Sequence, residues 1–122
     1  MNYIVADLQT GGHEAICTAI AQAVQTDVRT VVIPRGQWYL EKPVALPDCI
    51  TVILLGAEIH AEGRAFTNSN VDLPAALATE QKEIHLLGLD GARIESEADA
   101  QIAFYNIQNF SISGIKIPGV KT

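Results

Sequence analysis

Apolar and polar positions keep one rhythm early in the chain and another for the rest of it. Between His13 and Gln25, Ile16, Ile20, Ala23 and Val24 recur at i, i+4, i+7 and i+8, while Glu14, Thr18, Gln22 and Gln25 fall mostly on other faces. That period predicts one amphipathic helix over residues 13–25. Thr10 and Gly11-Gly12 precede it as cap and loop, and Thr26-Asp27 close it. From Thr30 onward, β-branched and apolar residues come in short runs broken by Gly, Pro, Asn and Asp, which predicts successive short strands. Strands are expected at Thr30–Ile33, Gln37–Leu40, Ile50–Leu55, Ala57–Ala61, Glu83–Leu87, Ala92–Glu95, Ile102–Tyr105, Phe110–Ser113 and Ile115–Ile117. Turns fall at Pro34-Arg35-Gly36, Pro47-Asp48, Leu89-Asp90-Gly91 and Asn106 to Asn109, and residues 63–82 form a longer inserted loop with room for a helical turn.

The β-rich part repeats itself. Ile50-Thr51-Val52-Ile53-Leu54-Leu55-Gly56-Ala57-Glu58-Ile59 parallels the stretch from Ile84 to Ile94, and both parallel Phe110-Ser111-Ile112-Ser113-Gly114-Ile115-Lys116-Ile117. With Val31-Val32-Ile33-Pro34-Arg35-Gly36 added, the marker glycines stand at 36, 56, 88 and 114. Periods of about 20 to 50 residues signal a solenoid, in which each repeat buries its apolar edge against the next. In the second strand of each repeat Ile59, Ile94 and Ile117 point inward, and Glu58, Arg93 and Lys116 point outward. The helix is placed to cover the first end. Nothing in the sequence covers the last, whose unpaired strand edge and open core invite self-association.

Composition narrows the possibilities. The chain has 122 residues with 48% hydrophobic and 18% charged, enough apolar matter for a single domain, 1–122, with a real core. A net charge of −6, with the basic residues scattered, excludes nucleic acid as a first expectation. No apolar run is long enough to span a membrane, and Met1-Asn2-Tyr3 opens no signal peptide, so a soluble cytoplasmic protein is expected. Cys17 and Cys49 lack metal-ligand spacing and read as small core residues. No cofactor or metal is expected.

Five segments in fixed order carry a likeness. These are Tyr3-Ile4-Val5-Ala6-Asp7, Ala15-Ile16-Cys17-Thr18-Ala19-Ile20, Val31-Val32-Ile33-Pro34-Arg35-Gly36-Gln37-Trp38-Tyr39, Pro43-Val44-Ala45-Leu46-Pro47 and the run from Ile50 to Ile59. Further on stand Ile84 to Ile94 and Tyr105-Asn106-Ile107-Gln108-Asn109-Phe110-Ser111-Ile112. Together they resemble the N-terminal portion of the right-handed parallel β-helix proteins of the pectate-lyase superfamily, and within it the polygalacturonase-like (family 28) glycoside hydrolases. The resemblance implies an all-β fold, a short right-handed parallel β-helix of about four coils with one N-terminal capping α-helix. It also implies a carbohydrate-active protein acting on a pectin-like polysaccharide or oligosaccharide by hydrolysis of glycosidic bonds. The family's catalytic segments, N-T-D, an Asp-Asp pair, G-H-G and R-I-K, have no counterpart here; Gly114-Ile115-Lys116 lacks the arginine. The chain therefore reads as the first coils of a longer enzyme, inactive alone. The rival expectation is a non-catalytic β-helix module for glycan binding or protein assembly, as in a phage tail spike; a compact α/β domain with coincidental repeats is the third.

Several residues are candidates for chemistry. Glu95 and Glu97, at i and i+2 on a strand, stand about 6.6 Å apart on one face, within the roughly 6.5–9.5 Å span of an inverting carboxylate pair. Running into Asp99, they read more simply as a solvated acidic edge. His60 and Glu95, like Glu58 and Arg93, hold equivalent repeat positions and are expected to stack as exposed pairs on adjacent coils. Arg64, Arg93 and Lys116 offer guanidinium and ammonium groups to uronate carboxylates. Of Trp38 and Tyr39, alternation turns one inward to pack and the other outward, where an aromatic face suits a sugar ring. Asn106 and Asn109 read as left-handed turn residues that bond along the stack, His13 and His85 as surface residues, and Gly36, Gly56, Gly88, Gly91 and Gly114 as turn glycines.

Overall fold

The computed structural model describes residues 3–7, 12–68, 81–96, 102–103 and 107–116. The chain runs β1 (Ile4–Val5), α1 (Gly12–Gln25), β2 (Thr30–Ile33), β3 (Gly36–Leu40), β4 (Val44–Leu46), β5 (Ile50–Leu55), β6 (Ala57–Ala61), β7 (Phe66–Asn68), β8 (Gln81–Leu89), β9 (Arg93–Ser96), β10 (Ile102–Ala103) and β11 (Ile107–Ser113). The described strands form three parallel sheets. The first has the order β1-β2-β5-β8-β11, the second β3-β6-β9 and the third β10-β7-β4. The chain thus visits first, second and third sheet in turn, and each circuit lies against the one before it. Among the described residues no helix is long and apolar enough to cross a membrane.

Alternation decides what each strand buries. In the first sheet Val31, Ile33, Ile50, Val52, Leu54, Ile84 and Leu86 are fully buried, while Thr51, Ile53, His85 and Leu87 between them face out. Register stacks like on like: Val31 opposes Val52, which opposes Leu86. In the second sheet Trp38 opposes Ile59, which opposes Ile94, and in the third Val44 opposes Phe66. All belong to one core. Trp38 settles its indole by donating Nε1–H to Pro34 O at 3.0 Å.

Helix α1 buries Ala15, Ile16, Ala19, Ile20 and Ala23 against β1, β2, β3 and β4. Small residues alternate with isoleucines, so the helix lies close to the strands. Each buried isoleucine contributes about 1.5–3 kcal/mol. Val24, expected on the apolar face, is 37% exposed, because the buried stripe centres on Ala19 and leaves Val24 at its margin. Thr26 ends the helix by donating its hydroxyl to Gln22 O at 2.6 Å.

The strand pattern departs from expectation in several places, and where a strand was expected at Ile115–Ile117 the described residues hold only an isolated bridge at Lys116. A third sheet exists: β4 lies between Pro43 and Pro47, where no strand was expected, and β7 inside 63–82. Gln81 and Lys82 at the other end of that segment belong to β8, and residues 69–80 lie outside the described ones. Ile107 to Asn109 belong to β11, not to a turn; Tyr105, Asn106 and Ile117 lie outside the described residues. Gly88 does not match Gly56, since Leu54 opposes Gly88 and Leu55 opposes Leu89. The corner that Gly56 turns alone at φ 69° takes Asp90 and Gly91 in the next circuit, at φ 56° and 80°. Gly88 instead lies flat against Gly114, where a Cβ would collide with the Gly114 backbone.

Candidate functional site

The outward face of the second sheet carries two polar rows. Gln37 of β3 opposes Glu58 of β6, which opposes Arg93 of β9, and an isolated bridge extends the row to Lys116. Beside it Tyr39 opposes His60, which opposes Glu95. The expected stacking of His60 with Glu95 and of Glu58 with Arg93 on adjacent strands is present. Alternation puts Trp38 inside, with no exposed surface, and leaves Tyr39 61% exposed.

Close contacts fix these side chains. The Tyr39 ring stacks on His60 with centroids 5.0 Å apart and planes 17° apart. Its hydroxyl donates to Gln37 Oε1 at 3.0 Å. His60 Nδ1 lies 3.3 Å from Glu95 Oε2, and Arg93 Nη2 donates to Glu95 Oε1 at 2.6 Å. Glu58 stands 3.8 Å from His60 Nε2, beyond hydrogen-bond length, so that buried nitrogen has no hydrogen-bond partner among the described residues. Arg93 and His60 therefore clamp one carboxylate between them, and Tyr39 lies flat over the imidazole.

An open groove of about 670 Å³ runs beside this row, with Tyr39, His60 and Ala61 along it and the carboxylates of Glu41, Glu62 and Glu95 at its margins. Flat aromatic and aliphatic surface ringed by acceptors suits a ligand with apolar faces and many hydroxyls. Among the described residues the lining carries three acids and no Lys or Arg, although Arg93 bonds to Glu95.

The remaining candidates are dispersed. Glu97, Asp99 and Asn106 lie outside the described residues. Arg64 is half-buried before β7, and Lys116 is exposed. Cys17 is half-buried and burial pushes its thiol up, whereas Cys49, expected in the core, is exposed on a left-handed corner at φ 54°. His13 is held rather than free: its Nε2 lies 3.2 Å from Pro43 O and 3.4 Å from Cys17 Sγ. His85 likewise has partners, in Ser111 and Glu83, and Asn109 adopts the expected left-handed backbone at φ 59° while bonding across to Glu83. Hydrogen bonds from His85 and Asn109 hold the Glu83 carboxyl below the usual carboxylate range. Among the described residues no three His, Cys, Asp or Glu side chains converge as they would on a metal ion.

Sequence reasoning missed Glu41, Glu62, Glu83 and Ser111. The first two follow strand ends and carry no periodic mark. Ser111 was readable, because the repeat that aligns Ile84 with Phe110 also aligns His85 with Ser111, whereas the left-handed backbone of Glu83 interrupts the period there. No protein-family model, curated protein or solved structure matches this chain.

Proposed function

We propose that the chain winds as a right-handed parallel β-helix of the pectate-lyase type and binds a polysaccharide along the groove of its second sheet. The visiting order of the three parallel sheets supports the winding. The exposed Tyr39 ring, held flat by His60 beside a carboxylate-rimmed groove, carries the binding reading. A sugar stacks its apolar face on Tyr39 and donates hydroxyls to Glu41, Glu62 and Glu95. Three carboxylates repel a uronate chain, so the ligand is a neutral polysaccharide rather than pectin itself. Hydrolysis, the activity that the polygalacturonase-like resemblance implies, needs one carboxylic acid and one carboxylate free to activate water. Glu95 is held by Arg93 and His60, and this groove is proposed for binding.

Calorimetric titration with neutral oligosaccharides and with oligogalacturonates tests both parts. Neutral chains are expected to bind at least tenfold tighter, and Tyr39→Ala to weaken them about three- to tenfold, the worth of one aromatic contact. Tighter binding of oligogalacturonates, indifference to Tyr39→Ala, or silence across the panel overturns the reading. The free thiols Cys17 and Cys49 support a reducing, cytoplasmic setting.

A second reading, assembly, has its own observation. Phe110 and Ile112 oppose the buried Ile84 and Leu86, yet are 53% and 39% exposed, so β11 offers core positions to a partner strand.

A further inference from the structure

A second constellation lies on the outward face of the first sheet, away from the groove. Ser111 of β11 opposes His85 of β8, and Ser111 Oγ lies 2.7 Å from His85 Nδ1. The other ring nitrogen, Nε2, lies 3.3 Å from Glu83 Oε2. Asn109 Nδ2 donates to the second carboxylate oxygen at 3.0 Å. Glu83 and Asn109 both take up left-handed backbone, at φ 61° and 59°, a local bend of the kind that re-aims side chains at a strand end. A serine, an imidazole and an anchored carboxylate are thus joined in one chain of hydrogen bonds across two neighbouring strands.

The chemistry of the three groups sets the protons. An ionised carboxylate only accepts, so Nε2–H points to Glu83 and Nδ1 turns its lone pair to the Ser111 hydroxyl. That is the state in which a histidine removes the serine proton as the oxygen attacks. Recognition of these roles rests on geometry, since the arrangement recurs on unrelated folds.

We propose that Ser111, His85 and Glu83 form an acyl-transfer site for esters with an apolar acyl group. Ser111 Oγ bonds to the ester carbonyl carbon while its proton passes to His85 Nδ1. The carbon–oxygen bond to the alcohol then breaks, and the departing alcohol takes that proton. Water adds to the acyl-serine and gives a proton to His85 Nδ1; as the Ser111 ester bond breaks to release a carboxylic acid, His85 returns that proton to Ser111 Oγ and the hydroxyl is restored. Glu83 holds the imidazole in the productive tautomer throughout and faces the positive charge that develops on it.

The preference for an apolar acyl group comes from the surface beside the serine. Leu87 is two residues along from His85 on the same face, and Ile53 opposes Leu87 on the next strand. Leu55 and Leu89 continue this strip and are 38% and 43% exposed. An acyl chain attached at Ser111 lies within diagonal reach of Leu87.

Ser113 supplies an internal control. It is exposed, lies two residues on along the same strand face, and opposes Leu87 instead of a histidine. The full chain is treated with an alkyl fluorophosphonate, which phosphonylates an activated serine with loss of fluoride, and the adduct is placed by peptide mass spectrometry. Labelling is expected at Ser111 at least tenfold faster than at Ser113. It should vanish in Ser111→Ala, persist in Ser113→Ala, and fall about 10²-fold in His85→Gln, as removal of a general base dictates. Glu83→Gln should slow it about tenfold while leaving the circular dichroism spectrum intact. With p-nitrophenyl esters, butyrate is expected to acylate Ser111 faster than acetate. Equal labelling of Ser111 and Ser113, or a rate unchanged in a folded His85→Gln chain, overturns the proposal; failure of sugar binding at the groove would leave these results untouched.

Discussion

Single residues fix how closely the circuits approach. Gly88 and Gly114 meet backbone to backbone, and a Cβ on Gly88 runs into the Gly114 carbonyl. Gly88→Ala is therefore expected to cost about 1–3 kcal/mol through forced separation of β8 from the last circuit. Gly63 has nothing within 4 Å of its Cβ position and no left-handed backbone, so Gly63→Ala is expected to be neutral or to stabilise by up to about 1 kcal/mol. Urea denaturation of the two variants checks the contrast. Glu83 adds a pH dependence. Its folded carboxyl titrates below the ordinary range, so its contribution is present above an unfolded pKa of about 4.3 and is lost as pH falls through the lower folded value. Glu83→Gln should therefore lower the denaturation midpoint at neutral pH and leave the most acid conditions little changed, so that the acid limb of a plot of midpoint against pH becomes flatter. That one of Trp38 and Tyr39 packs inward and the other faces out was legible from alternation, because that signal is a property of each strand; which of them is inside comes from the structure. Glu83 and its partnership with His85 were harder to read, since a left-handed residue inside a strand breaks the period on which the reading depends.

At the scale of elements, burial separates what propensity cannot. Ile16 has no exposed surface and sits under β1 to β4, whereas Val24 on the same helix is 37% exposed. Ile16→Ala should cost about 2–5 kcal/mol by leaving a cavity, and Val24→Ala less than about 0.5 kcal/mol. Thermal unfolding followed by circular dichroism distinguishes the two, and similar losses would mean that the helix packs on another face. The helix and, apart from the two-residue β1, the strands of the first two sheets were legible because each carries its period over four residues or more. The third sheet was not. Val44-Ala45-Leu46 has three residues between Pro43 and Pro47, and Phe66-Thr67-Asn68 is as short, so neither displays a period before it ends. The groove was half legible for the same reason: Tyr39, His60 and Glu95 sit at equivalent strand positions, but Glu41 and Glu62 follow strand ends, where no repeat marks them.

In the whole molecule, pairing between circuits leaves unequal ends. The first sheet begins with the two-residue β1, beside which α1 packs; it finishes with β11, seven residues long, paired with β8 alone among the described strands. Natural edge strands are blunted by lysine, proline, brevity or a covering element. The sequence of β11, Ile107-Gln108-Asn109-Phe110-Ser111-Ile112-Ser113, has no charge and no proline. Phe110 and Ile112 occupy positions that one strand earlier hold the buried Ile84 and Leu86. A second copy presenting the same neutral edge can cover both apolar pairs at once, as a two-fold pairing requires. Light scattering is accordingly expected to show mass rising with concentration for the native chain. Phe110→Lys places a charge where the partner must approach and should hold the chain monomeric without altering the denaturation midpoint by more than about 0.5 kcal/mol, since Phe110 is already half exposed. A native chain that stays monomeric at high concentration would mean that another part of the molecule covers this edge. An associating chain unaffected by Phe110→Lys would place the contact elsewhere, with the outward row of Tyr39 and His60 the next surface to test.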